Sequence, residues 1–341
     1  MHNFKAALKT SLIFLLIVLV ITAILVYPYF HSEAYYYQDG YVRDSMAGTL
    51  DLIICGASQA QRGVSTKIMD DLLGCNSYNL SSPLMTLEAR YRLLKKEVER
   101  NPVDLVILEL CYDTMCRDRD VVGPEGDYYM LGRFTDPLER LAYFFSAARL
   151  DEYADFYYDT LRRSSYARKQ WGKAAIGTSV LYENKGYSPL NANPIPMPAA
   201  DAFNREPILT EMVPENLKYL DKIFALCQEK GIKVILISTP LADGAVMSYD
   251  KLDTIHQYYV ELSEKWGCEF YNFSLYRGKS ELFPDATAYF DRNHLSISGA
   301  ETFTGLLCDI IADSLDGKES SHLFYDSYET ARNQEILPRL N

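Results

Sequence analysis

Apolar and polar positions divide the chain sharply. From Thr10 to Phe30 there are 21 residues without a charge, most of them Leu, Ile, Val, Phe and Ala. At about 1.5 Å per residue this run makes roughly 31 Å of helix, enough for a hydrocarbon core of about 30 Å. Lys5 and Lys9 precede it, so the positive-inside rule predicts a cytoplasmic N-terminus. Tyr27, Tyr29 and Phe30 stand where an interfacial aromatic belt belongs. A cleaved signal peptide is the competing reading. Its apolar region spans about 7–15 residues before a cleavage site of small residues, whereas this run is longer and ends in Val26-Tyr27-Pro28-Tyr29. A buried soluble helix is disfavoured because the run has no polar face. Anchor and signal peptide agree that the body is exported.

The pattern then changes. Residues 1–30 form the N-terminus and anchor, and residues 31–49 are polar and Tyr-rich and read as a stalk. Over 50–315, short apolar runs alternate with helical periodicity. Strands are predicted at Leu50–Cys55, Ser77–Leu80, Val103–Leu110, Ile232–Thr239 and Glu269–Phe273. Several are near-continuous Val, Ile and Leu, as strands buried on both faces of a parallel sheet require. Helices are predicted at Val64–Leu73, Leu87–Glu99, Pro214–Lys230, Tyr249–Trp266 and Ser298–Leu315, with Gly74 and Gly231 at helix ends. The alternation predicts an α/β domain, doubly wound around a mainly parallel five-stranded sheet. Residues 112–213 interrupt it. Pro137–Arg163 is helical and aromatic, and Asn184–Pro207 reads as loop. This helical insertion is either structural or a lid, partner or acceptor surface at the sheet edge. Residues 316–341 read as a polar tail.

Composition narrows the options. The 48% apolar and 23% charged residues suit a folded domain. With 34 Lys and Arg against 46 Asp and Glu the formal charge is −12, which excludes the basic footprint of a nucleic-acid binder. Seven cysteines are an odd number, so at least one stays unpaired within an exported monomer. Cys55, Cys227 and Cys308 fall in apolar patterns and read as core thiols. Spacing leaves a Cys111–Cys116 pair open. No Cys/His spacing resembles a zinc site, and neither metal nor cofactor is expected.

The chemistry-bearing residues lie at two ends of the domain. The first strand runs into Gly56-Ala57-Ser58, followed by a helical pattern. A serine on such a turn projects from the carboxyl edge of the sheet, and the helix start offers free N–H groups to an oxyanion. Alone, it is equally an N-cap serine. After the fifth strand comes Asp291-Arg292-Asn293-His294-Leu295-Ser296. In a turn, Asp-x-x-His lets the carboxylate accept from Nδ1–H and leaves Nε2 as a base for a serine hydroxyl. With strand order 2-1-3-4-5, Ser58, Ser81, Ser82, Cys111, Asp113, Asp291 and His294 all follow strand ends on one edge, where ligands bind in doubly wound sheets. His2, His31, His256 and His322 have no comparable partner pattern. The rival elbow Gly-x-Ser-x-Gly fits poorly, because position 60 is Ala and the serine follows the first strand.

Taken together, Gly56-Ala57-Ser58 with Gly63-Val64, Tyr78-Asn79-Leu80-Ser81-Ser82, Asp104-Leu105-Val106-Ile107-Leu108, Ser238-Thr239-Pro240-Leu241 and Asp291-x-x-His294-Leu295-Ser296 resemble the SGNH (GDSL-type) hydrolase superfamily. Within it they resemble the membrane-anchored branch related to DltD and to envelope-glycan O-acetylation proteins. The resemblance implies a flavodoxin-like three-layer sandwich, with Ser58 as nucleophile, His294 as base and Asp291 as its orienter. It also implies oxyanion or substrate contacts from the Ser58 N–H, Ser81 or Ser82, Asn79, Glu109 and Asp113. The family often carries Gly-x-Asn-Asp after strand three; here the run is Glu109-Leu110-Cys111-Tyr112-Asp113, without Asn. Glu109 is then either a structural strand-end acid or a site carboxylate. The expected activity is an extracytoplasmic serine esterase or O-acyltransferase at the cell membrane. Its acceptor would be an envelope glycan or teichoic acid, and a polytopic membrane O-acyltransferase would supply the acyl group. A plain esterase or lipase, and a non-catalytic envelope-assembly or carbohydrate-binding protein, are the alternatives.

Overall fold

A computed structural model describes residues 2–30, 35–118, 126, 130, 131, 133–147, 184–191 and 206–340. In chain order the helices are α1 His2–Phe30, α2 Tyr35–Ser45, α3 Ser58–Gly63, α4 Thr66–Leu73, α5 Leu87–Arg100, α6 Pro137–Ala147 and α7 Pro214–Lys230. They continue as α8 Asp243–Ser248, α9 Leu252–Trp266, α10 Lys279–Leu282, α11 Ile297–Leu315, α12 Tyr328–Ala331 and α13 Leu337–Leu340. The strands are β1 Leu52–Cys55, β2 Ser77–Asn79, β3 Leu105–Glu109, β4 Lys233–Ser238 and β5 Glu269–Asn272. Each predicted strand is present, one or two residues shorter at its ends, where pairing frays.

The five strands form one wholly parallel sheet in the order β2-β1-β3-β4-β5. Alternation of side chains sorts the apolar runs onto two faces. Ile53, Cys55, Val106, Leu108 and Leu236 face a core completed by α5, α7 and α9. Leu52, Ile54, Ile107, Ile235 and Ile237 face a second core completed by α4 and α11. This is the predicted doubly wound α/β architecture. Gly74 and Gly231 end α4 and α7 with φ of 65° and 67°, and the Thr86 and Ser296 hydroxyls cap α5 and α11. Within α1, Phe4–Ala23 is long and apolar enough to cross a membrane and none of it is buried in the protein.

Two expectations need correction. Within the predicted stalk, residues 35–49 are not a plain spacer: α2 buries Asp39, Val42 and Arg43 against the domain. Nor are residues 316–340 simply a polar tail. Tyr328, Ala331 and Ile336 are buried against α8 and α9, and Arg332 donates to the carbonyls of Val246 and Tyr249, both at 2.9 Å. In both cases charged residues are buried together with apolar ones. All seven cysteines are free thiols, Cys111 and Cys116 included; Cys55, Cys227 and Cys308 are buried as expected. Of the insertion, α6 begins where predicted, while 119–125, 127–129, 132, 148–183 and 192–205 lie outside the described residues.

The far end of the insertion returns to the sheet. The Lys185 carbonyl accepts from the Asn79 N–H at 2.9 Å, extending pairing beyond edge strand β2. Gly186 has φ +86°, and a Cβ there would sit 2.0 Å from the Asn79 oxygen. Gly186→Ala is therefore expected to destabilise the fold by about 3 kcal/mol, from overpacking plus left-handed strain. Urea unfolding of the two chains measures this, and a loss below about 0.5 kcal/mol, the size of an ordinary surface substitution, would mean the segment does not pack as described.

Candidate active site

β1 ends at Cys55, and the chain turns through Gly56 and Ala57 into α3, whose first residue is Ser58. The turn packs directly on β3. A Cβ at Gly56 would lie 2.6 Å from Glu109 Oε2 and 2.7 Å from Glu109 Cβ, so only glycine lets the strands stay in register here. Glu109 Oε2 accepts the Ala57 N–H at 2.7 Å. As the first residue of a helix, Ser58 has no helix carbonyl for its own N–H, which leaves that donor for an oxyanion.

The Asp-x-x-His segment is held as a closed turn. Tyr289 and Leu295 bridge across it, both buried, and the Phe290 N–H donates to the His294 carbonyl at 2.8 Å. Asp291 Oδ1 accepts the N–H groups of Asn293 at 2.8 Å and His294 at 2.9 Å. The same carboxylate meets His294 Nδ1 at 2.8 and 2.9 Å, and His294 Nε2 lies 2.8 Å from Ser58 Oγ. A carboxylate on Nδ1 selects the tautomer with Nδ1–H, so Nε2 is the acceptor for the serine hydroxyl. Burial pushes the Asp291 carboxyl up. The hydrogen bonds and charge of His294, with the two backbone donors, outweigh this and hold it below the usual carboxylate range. Ser58, Asp291 and His294, 236 positions apart at the extremes, thus meet in one hydrogen-bonded relay. The His294 and Asp291 side chains keep 24% and 44% of their exposure, so the relay is open to a ligand.

The other predicted site residues divide. Asn79 is fully buried and donates to the carbonyls of Ala60 and Val64 at 2.9 and 3.1 Å, tying the end of β2 to α3. Its Oδ1 takes the Ser81 N–H at 3.0 Å, and both Ser81 and Ser82 are fully buried. The hydroxyls of Ser81 and Ser82 are buried without a partner among the described residues. Asp113 pairs with Arg117 at 2.6 Å and accepts from Cys111 Sγ at 3.0 Å. Glu109 is fully buried behind the Gly56–Ser58 turn, and its backbone carbonyl accepts from Arg90.

Several supporting residues carry no motif in the sequence. Gln59 follows Ser58, and its Oε1 accepts the Thr239 hydroxyl at 2.9 Å. Lys279 is buried, pairs with Asp243 and donates to the Leu241 carbonyl at 2.8 Å. The neighbouring Ala242 N–H donates to the Arg292 carbonyl inside the Asp291–His294 turn at 3.2 Å. A lysine in Gly-Lys-Ser-Glu looks solvated in sequence, and only the fold reveals its burial. Among the described residues no group of three or more His, Cys, Asp or Glu is placed to hold a metal.

No family model and no curated protein matches the chain. Among solved structures it is similar to a candidate acylhydrolase of Bacteroides fragilis, with a TM-score of 0.40 and 11% identity over 81% of this chain and 95% of that one. It is also similar to a lipase/acylhydrolase of Enterococcus faecalis, with a TM-score of 0.36 and 14% identity over 79% and 96% of the two chains. At these scores the chemistry of the site rests on its own geometry.

Proposed function

We propose that the protein is a membrane-anchored serine esterase or O-acyltransferase that works on small acyl esters of an envelope glycan or teichoic acid. The observation that carries the chemistry is the Ser58–His294–Asp291 relay at the carboxyl edge of a parallel sheet. In acylation the Ser58 hydroxyl proton passes to His294 Nε2 as Oγ bonds to the ester carbonyl carbon. Asp291 holds the imidazolium, and the N–H groups of Ser58 and Ser82 face the developing oxyanion. Collapse breaks the C–O bond, and the leaving alkoxide takes the proton from His294. A second hydroxyl, from water or from a glycan, then gives its proton to Nε2 and attacks the acyl-enzyme, releasing Ser58.

Hydrolysis and transfer share every one of these groups and differ only in the hydroxyl that deacylates the enzyme. The apolar α1 favours work at a membrane face, where a polytopic acyltransferase would present the acyl donor. The test uses the full chain in detergent with a fluorophosphonate probe. Wild type is expected to be labelled on Ser58, and Ser58→Ala is expected to abolish labelling. Absence of both an adduct and p-nitrophenyl acetate turnover in the wild type would overturn the enzyme reading in favour of a non-catalytic binding role.

A further inference from the structure

α2 follows the apolar helix after four residues, yet it carries two of the most deeply buried charges in the protein, Asp39 and Arg43, which are 2% and 1% exposed. Ions of this kind persist in an interior only when partnered. Asp39 Oδ2 accepts from Arg43 Nε at 3.1 Å and from Arg133 Nε at 2.8 Å, and its Oδ1 accepts from the Tyr78 hydroxyl at 2.7 Å. Arg43 also pairs with Glu97 and donates to the Arg133 carbonyl. The other end of the Arg133 fork donates to the carbonyls of Leu80 and Ser81, at 2.5 and 3.1 Å.

Those two carbonyls belong to the segment that leaves β2. The register pairs Ile54 with Asn79, so the chain after Asn79 runs beside the chain after Ile54. Leu80–Ser82 therefore lies against the turn that presents Ser58. One guanidinium grips two successive peptide units through their oxygens, the second of which carries the Ser82 N–H, and that guanidinium is held by Asp39.

We infer that Asp39 is a positioning residue for the reaction at Ser58: through Arg133 it sets the backbone that carries the second oxyanion donor. The inference rests on the esterase reading above. It makes the helix next to the membrane segment a working part of the site rather than a spacer. A guanidinium suits the task because its planar fork reaches an acid on one side and two carbonyls on the other, which a lysine ammonium cannot span.

The test compares full-length Asp39→Asn, Arg133→Lys and Glu97→Gln with wild type in detergent, with active Ser58 counted by fluorophosphonate titration. Glu97→Gln is the control: it disturbs the same charge cluster through Arg43 without touching the β2 exit. Asp39→Asn is expected to lower kcat for p-nitrophenyl acetate per titrated serine by about 10- to 100-fold, with KM moved less than about threefold, as displacement of an oxyanion donor requires. Arg133→Lys is expected to do the same, and it serves if Asp39→Asn does not fold. Glu97→Gln is expected to lower the melting temperature while kcat per site stays within about twofold, a change of no more than about 0.4 kcal/mol in barrier. A folded Asp39→Asn or Arg133→Lys with kcat per site within twofold of wild type would overturn the inference while leaving the esterase reading intact. A wild type inert to both probe and ester would overturn both.

Discussion

Ser58→Ala, His294→Ala and the double variant are expected to lose nearly the same turnover, about 10⁴- to 10⁶-fold in kcat, because residues that act as one relay do not contribute separately. Once either is removed, no hydroxyl is activated, and deleting the other takes away nothing further. Asp291→Asn is expected to cost about 10⁴-fold by a different route. Its Oδ1 can still accept the N–H groups of Asn293 and His294, so the turn survives. Its amide, however, presents donors to Nδ1, which shifts the ring proton to Nε2 and leaves Ser58 without a base. Initial rates on p-nitrophenyl acetate, with thermal melts to show equal folding, decide the matter. Losses for Ser58→Ala and His294→Ala that add in the double variant would mean the two side chains do not work together.

The relay was legible because each half is local in sequence. Ser58 follows an unbroken apolar strand, and Asp291 and His294 sit three apart in a short turn, so only their meeting had to be inferred from strand order. The sheet was legible for a related reason: strands buried on both faces read as continuous Val, Ile and Leu. What escaped notice is burial that depends on partners distant in the chain. Asp39 and Arg43 look like solvated charges on a polar segment, and become core residues only because Arg133 and Glu97, 94 and 54 positions further on, neutralise them. Tyr328 and Ile336 were masked in the same way by charged neighbours, with Arg332 buried among them against two carbonyls. The role of Asn79 was hidden for a third reason. A buried amide on a strand end offers both donors and an acceptor, and sequence cannot say that it will spend them on Ala60, Val64 and Ser81 rather than on substrate.

Glu109 gives the sharpest test of how the nucleophile turn is built. Its carboxylate sits fully buried beneath Gly56 and accepts the Ala57 N–H. Glu109→Ala is expected to cost about 1–3 kcal/mol of stability for the N–H left without its acceptor and about 100-fold in kcat as Ser58 shifts. Gly56→Ala is expected to do comparable damage from the other side, because the new Cβ would enter the space held by Glu109 and by the Ala60 Cβ. Glu109→Gln keeps an acceptor of the same shape and is expected to retain kcat within about tenfold, a barrier change of no more than about 1.4 kcal/mol. The pH dependence separates charge from shape. Burial pushes the Glu109 carboxyl up, and nearby Asp113 adds to this; Arg90, the Ala57 N–H and His294 oppose it, and the net shift is upward. A carboxyl raised in the folded state binds its proton more tightly there than in the unfolded chain. Its contribution to stability is therefore complete below the unfolded value near 4.3 and is lost as pH rises through the folded value. Glutamine has no proton to lose, so Glu109→Gln is expected to gain on wild type in urea unfolding as pH rises above about 4.3, until the folded carboxyl has ionised. A difference between the two proteins that stays flat across that range would show that the folded and unfolded carboxyls titrate alike, and that the acid is not held in the dry pocket behind Ser58.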